Sequence, residues 1–147
     1  MSIRAAKKND VINISNLVAS LSHCYLKNTG SDLPEWFDQT LTNSAFSKRI
    51  EDTDYSNFVY EIEGEIIGYI AIKGCSYLFH LFVSEKHQGE GLSRELWEFA
   101  TKVCVSNIYT LRSSLYAIPV YRKFGFIESG PTGEKDGIGF QPMELRV

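Results

Sequence analysis

The chain reads as a single α/β domain of the α+β type, 1–147: a central, mostly antiparallel mixed sheet of six to seven strands flanked by about four helices. Three observations predict it. Phe58 to Ile62 and Ile66 to Ile72 alternate or run apolar on either side of Glu63-Gly64-Glu65, a strong hairpin signal. The run from Tyr77 to Trp97 reads as a strand, a glycine turn and a helix start in direct succession. The element order β-α-α-β-β-β-α-β-α-β-β then places mostly antiparallel strands around one parallel contact.

Each element has a local cause. Ser2 to Ala5 can form a short first strand. Asp10 is expected to cap a helix whose Val11, Ile14, Leu17, Val18 and Leu21 share one face, ending near His23 to Leu26. Asn28 to Asp32 is a turn-rich break, and Leu33-Pro34-Glu35-Trp36-Phe37 starts a second helical stretch, with Pro34 tolerated in its first turn. Ser44 to Ile50 adds a short helix before the polar connection Glu51-Asp52-Thr53-Asp54. After the hairpin, Gly74 and Ser76 turn the chain into a third strand. Its Leu78, Phe79, Leu81, Phe82 and Val83 form the nearly continuous apolar segment of a strand buried on both faces. Ser84 to His87 break that pattern, Gln88-Gly89-Glu90-Gly91-Leu92-Ser93 turns the chain, and Leu92, Leu96, Trp97 and Ala100 carry a helix to about Val105. Ile108 to Leu111 is the next strand and Leu115 to Phe124 a short helix. Phe126 to Ser129 with Phe140 to Arg146 supply the closing pair.

Composition narrows the function classes. With 44% hydrophobic and 22% charged residues, the 147-residue chain is an ordinary globular sequence with one core. Its net charge of −3 and scattered cations argue against nucleic acid as a partner and mildly favour a cationic acceptor. No stretch reaches the roughly 18 apolar residues of a membrane span, and the N-terminus lacks the apolar region of a signal peptide, so a soluble, cytoplasmic protein is expected. Cys24, Cys75 and Cys104 are odd in number and lack close-paired spacing, which speaks against a disulfide framework or a zinc site. No metal is expected.

The glycine turn carries the chemistry. At a helix start the first N–H groups have no intrahelical acceptor, and the peptide dipoles place partial positive charge on the same spot. Gly89 and Gly91 can take positive φ and let an anion approach the main chain. Neither a P-loop ending nor a G-x-G-x-x-G after the first strand is present, so a phosphate-bearing ligand other than a simple nucleotide is indicated.

These residues resemble the acetyl-CoA loop of the GCN5-related N-acetyltransferases, Gln/Arg-x-x-Gly-x-Gly/Ala, with Gln88, Gly91 and Ser93 at its named positions. Ser93 departs from the usual Gly or Ala but is still small. A second family motif, Ala-x-x-Phe/Tyr-Tyr-x-x-x-Gly-Phe, is matched from Ala117 through Tyr121 to Gly125-Phe126. The resemblance is strong from about Glu61 onward and loose in the first fifty residues. It implies the fold of that family, acetyl-CoA as co-substrate, and transfer of the acetyl group to a primary amine of a small molecule or protein. A catalytically weak acetyl-CoA-binding sensor or interaction module is the second reading. Dimerisation is common in relatives, so a homodimer stays open.

The same resemblance implies site residues. Leu81, Phe82 and Val83 would pair through their main chain with the pantetheine arm. Gln88, Gly89, Glu90, Gly91, Leu92, Ser93 and Arg94 would surround the diphosphate. Tyr121 stands where relatives supply the departing thiolate's proton, and it also lines the cofactor site; its phenol, with a pKa of about 10, suits the task. Some relatives carry a glutamate base where Tyr77 stands here, so that role does not transfer; His80 on the same strand titrates near neutrality and is the candidate base. Arg112 takes the place of a cofactor-binding asparagine, leaving Ser113 or Ser114 to make that contact. Glu35 and Trp36 would line the acceptor pocket, since an aromatic and acidic wall suits an ammonium group.

Overall fold

The computed structural model describes residues 2–21, 39–115, 117–135 and 138–147. Strands β1 (Ser2–Ala5), β2 (Tyr55–Ile62), β3 (Glu65–Lys73), β4 (Tyr77–Val83), β5 (Ile108–Ser114), β6 (Ile127–Glu128), β7 (Gly133–Lys135) and β8 (Ile138–Arg146) form one sheet. Its order is β1-β2-β3-β4-β5-β8-β6, with β7 on β8. All pairings are antiparallel except β4 with β5. The helices are α1 (Val11–Ser20), α2 (Asn43–Glu51), α3 (Leu92–Val103) and α4 (Ile118–Phe124). The sheet thus has one strand more than the upper expectation, β7. The expected second helical stretch at Leu33 to Phe37 lies outside the described residues, as do His23, Cys24, Glu35 and Trp36.

Two apolar layers hold the helices on the sheet. Val11, Ile14, Leu17 and Val18 of α1 and Phe46 of α2 pack on Val59, Tyr69 and Phe82 on one side. Leu92, Leu96, Trp97 and Ala100 of α3 pack on Phe58, Ile70 and Leu111 on the other. Leu96 is fully buried; hiding such a side chain stabilises the fold by about 1.5–3 kcal/mol. The β2–β3 hairpin turns on Glu63 (φ 50°) and Gly64 (φ 81°), between the paired Ile62 and Glu65. Two consecutive positive φ values are the two-residue hairpin turn whose twist matches the strands.

Several local expectations are corrected. Asp10 does not cap α1 with its side chain. The carboxylate accepts from the Lys7 amide at 2.8 Å and from two Arg4 nitrogens at 2.8 and 3.0 Å, closing a short turn before the helix. For a buried carboxylate the charge-assisted bonds to a guanidinium outweigh a cap to one amide. Helix α3 stops at Val103 rather than near Val105, because the Tyr109 hydroxyl donates to the Cys104 carbonyl (2.5 Å) and accepts from the Ser106 amide (3.0 Å). Helix α4 starts at Ile118 rather than Leu115: Pro119 in its first turn has its φ preset for a helix start, and the preceding Ala117 amide faces Ser114.

Strand β4 carries a bulge that the apolar run concealed. Ala71 pairs with His80 but Ile72 pairs with Leu78, so Phe79 has no partner on β3. An extra residue of this kind breaks the alternation of side chains. Phe79 and His80 accordingly both pack toward the α1/α2 layer, while Leu78 and Leu81 face the α3 layer.

Candidate active site

The sheet opens between β4 and β5. Their parallel pairing consists of Tyr77 with Thr110 and Leu78 with Leu111. Beyond that point His80 to Val83 pair with β3, and Arg112 to Ser114 pair with β8. The Ser84 amide donates to the Ile67 carbonyl at 2.8 Å. By the alternation of an antiparallel ladder, the Phe82 amide also faces β3, whereas the Leu81 and Val83 amides turn into the opening. A wedge with exposed main-chain donors on one wall results.

The glycine turn lies at the wide end of the wedge. The Gln88 side-chain amide donates to the Val83 carbonyl at 3.1 Å, fixing the turn to the end of β4. Gly89 (φ 84°) and Gly91 (φ 81°) are left-handed, and an added Cβ at either would meet nothing within 4 Å. The glycines are therefore needed for backbone shape, and the space above them is clear. The first closing bond of α3 runs from the Glu95 amide to the Gly91 carbonyl at 3.1 Å. The amides of Leu92, Ser93 and Arg94 precede it and are helix-start donors for an anion. The Leu92 side chain is buried and that of Glu90 is exposed. The Arg94 guanidinium donates to the Lys123 carbonyl and lies 5.8 Å from the Phe124 ring, which ties it to α4.

Tyr121 is packed in the α3 layer against Phe124 and Phe126. Burial raises the proton affinity of its phenol well above the ordinary value, so it keeps its proton. Its hydroxyl donates to no acceptor among the described residues. On β5, Ser113 is buried with its hydroxyl on the Ser114 carbonyl (2.6 Å), and the half-buried Ser114 accepts from the Ala117 amide at 3.2 Å. Arg112 is exposed and lies 5.0 Å from the Phe140 ring centre. Tyr77, where the resemblance puts a glutamate in some relatives, is half-buried.

His80 sits on the opposite layer, ringed by Phe46, Tyr69, Phe79 and Phe82. Burial first, and the Arg49 guanidinium second, push its pKa well below the usual imidazole value. The side chain is neutral near neutral pH, and its Nε2 is buried with no hydrogen-bond partner. Arg49, buried beside Phe46 and Phe79, is a residue that the sequence reading did not single out. Its signal was its place three residues after Phe46 on the buried face of a short helix.

The model of the acetyltransferase (GNAT) domain matches residues 22–147 of this chain. The chain belongs to the GNAT acetyltransferase family. No curated protein matches its sequence. Among solved structures, the GNAT chain resembles the PaiA N-acetyltransferase of Thermoplasma acidophilum, determined with coenzyme A, at 16% identity and a TM-score of 0.77, over 99% of this chain and 98% of that one. It also resembles the ribosomal-protein-alanine N-acetyltransferase of Brucella melitensis, at 19% identity and a TM-score of 0.71 over the whole of both chains. A variant of the Vibrio cholerae spermidine N-acetyltransferase aligns at 19% identity and a TM-score of 0.68, over 99% of this chain and 95% of that chain. At these identities the likeness speaks for the GNAT fold.

GNAT proteins use acetyl-CoA, and the residues here fit that co-substrate. The turn offers uncapped amides with clear space above two left-handed glycines, and the wedge offers strand donors leading away from it. Among the described residues no cluster of three or more His, Cys, Asp or Glu side chains could hold a metal ion, and no helix is long and apolar enough to cross a membrane.

Proposed function

We propose that this protein moves the acetyl group of acetyl-CoA directly to a primary amine of a small molecule or protein, both substrates being bound together. The observation that carries this reading is the parting of β4 from β5 beside a glycine turn with free helix-start amides. The turn from Gln88 to Arg94 grips the diphosphate through its main chain. The β4 amides at Leu81 and Val83 hold the pantetheine arm and polarise the carbonyl to be attacked. Acetyl-CoA supplies an acyl group on a good thiolate leaving group. The neutral His80 accepts the amine's proton through Nε2, directly or by way of water, as a carbon–nitrogen bond forms and the carbon–sulfur bond breaks. Tyr121 gives its proton to the thiolate sulfur and is restored from solvent. Ser114 stands on the far wall of the wedge to contact the cofactor, and Glu35 and Trp36 are the acceptor-side residues of this proposal.

The polyamine and protein acceptors named for the similar structures set the first panel to try. Calorimetry with acetyl-CoA is expected to give micromolar binding, and thiol release with the panel is expected to be amine-dependent. Binding without release on any amine would favour the sensor reading; no binding at millimolar acetyl-CoA would remove both.

A further inference from the structure

We infer that Arg49 is a specificity-determining residue that pairs with a carboxylate on the acetyl acceptor, which makes a small amino carboxylate the preferred substrate class. The inference rests on the amine-acetylation reading above. Arg49 is 8% exposed. Its guanidinium lies 4.8 Å from the Phe46 ring centre and 5.2 Å from that of Phe79, and one terminal nitrogen donates to the Thr40 carbonyl at 2.5 Å. Its Nε is buried with no partner, and no carboxylate of the described residues pairs with it. Arg4 shows the usual solution in this same chain, shared between the carboxylates of Asp10 and Glu61. A buried cation lacking such a partner is costly, and the cost is relieved when an anion arrives.

The Tyr69 hydroxyl, a neutral group, lies against the guanidinium and leaves its charge uncompensated; position turns this cation into a subsite. Phe79, which Arg49 covers, is the first β4 residue past the parallel contact with β5, at the closed end of the wedge. The diphosphate turn begins beyond Val83, about 13 Å away along the strand at ~3.3 Å per residue, so the reacting end of an extended arm points toward Phe79. His80 stands against Phe79, ring centres 4.5 Å apart, with its own Nε2 unpartnered. Two polar atoms without partners therefore flank one ring beside the place of transfer. A molecule with a carboxylate and an amine a few bonds apart satisfies both, the carboxylate at Arg49 and the amine at His80. The net negative charge of the chain, which mildly favoured a cationic acceptor, is not what the acceptor would meet here.

A packing role alone is separable. The tie between α2 and β2 runs from the Asn57 side-chain amide to the Arg49 main-chain carbonyl at 3.0 Å, so a substituted side chain leaves it in place. The test measures acetyl-CoA-dependent thiol release with glycine, β-alanine and L-alanine, each against its carboxamide, for the wild type, Arg49→Met and Arg49→Lys. The wild type is expected to prefer each acid over its amide at least tenfold in kcat/KM. Arg49→Met is expected to erase that preference by raising KM for the acids, with the Kd of acetyl-CoA unchanged, and Arg49→Lys to keep part of it. Equal use of acids and amides by the wild type, turnover confined to amines without a carboxylate, or a preference surviving in Arg49→Met overturns the inference while acetyl-CoA binding stands. Should Arg49→Met not fold, the wild-type ratio and Arg49→Lys decide alone. Failure of acetyl-CoA to bind removes the amine-acetylation reading as well.

Discussion

The Gln88 side-chain amide donates to the Val83 carbonyl at 3.1 Å, so the turn proposed to hold the diphosphate is tethered to the strand proposed to hold the pantetheine arm. One bond thereby sets the relative position of two halves of a single ligand site. Removing it in Gln88→Ala is expected to cost about 1 kcal/mol of positional order, a roughly five- to tenfold weaker acetyl-CoA Kd by calorimetry. Unchanged affinity would show that the turn holds its shape without the tether.

Two glycines separate backbone shape from space. Gly91 has φ 81° and open surroundings, whereas a Cβ on Gly68 would fall 2.8 Å from Leu96 Cδ1 and 3.2 Å from Tyr60 Cβ. Gly91→Ala is expected to strain the turn by about 1–2 kcal/mol and to weaken acetyl-CoA binding. Gly68→Ala is expected to lower unfolding free energy by about 1–3 kcal/mol through overpacking, with little change in acetyl-CoA affinity once folded. Denaturant titration and calorimetry on both variants check the division.

Tyr121→Phe keeps the ring packed on Phe124 and Phe126 and removes only the hydroxyl. If that hydroxyl protonates the thiolate, kcat falls by about 10²-fold while acetyl-CoA affinity holds. Burial keeps the phenol protonated above its ordinary range, so no loss of the acid is expected below about pH 10. A Tyr121→Phe enzyme with wild-type kcat on a good acceptor would remove the acid role.

His80 gives a stability signature of definite sign. The folded protein holds it neutral, with its pKa depressed by burial and by Arg49, while the unfolded chain takes up a proton below about pH 6.5. Stability present above that pH is therefore lost as pH falls, at up to about 1.4 kcal/mol per pH unit. The buried Asp10, whose pKa is lowered chiefly by its hydrogen bonds to Arg4, acts only in a separate window below about pH 4. Urea midpoints between pH 5 and 8 are expected to slope for the wild type and to flatten in His80→Gln. A slope unaltered by that substitution would contradict a neutral buried imidazole.

Elements whose causes are local were legible in the amino-acid order. The Val11, Ile14, Leu17, Val18 face, the Glu63-Gly64 turn and the glycine-to-helix junction at Gly91 all rest on neighbours a few residues apart, and each stands where its pattern put it. What escaped depends on distant partners. The unpaired Phe79 is a fact about register against β3, and a continuous apolar run has no polar residue to mark it. Asp10 looked like a cap because the Arg4 guanidinium that it shares with Glu61 is fixed between the two carboxylates only once β1 lies on β2. Arg49 resembled any solvated cation until Phe46 and Phe79 closed over it. Of the candidate site, the glycine turn and His80 were picked out from the sequence, whereas Arg49 was not.

The short Tyr77–Leu78 contact with β5 makes the sheet's centre a sparsely cross-linked seam, four strands lying on one side and four on the other. A coenzyme lying in the gap would act as a substitute strand, suturing the two halves. Loading with donor would then be a mechanical event as well as a chemical one, with amide exchange slowing along both lips of the seam before any acceptor arrives.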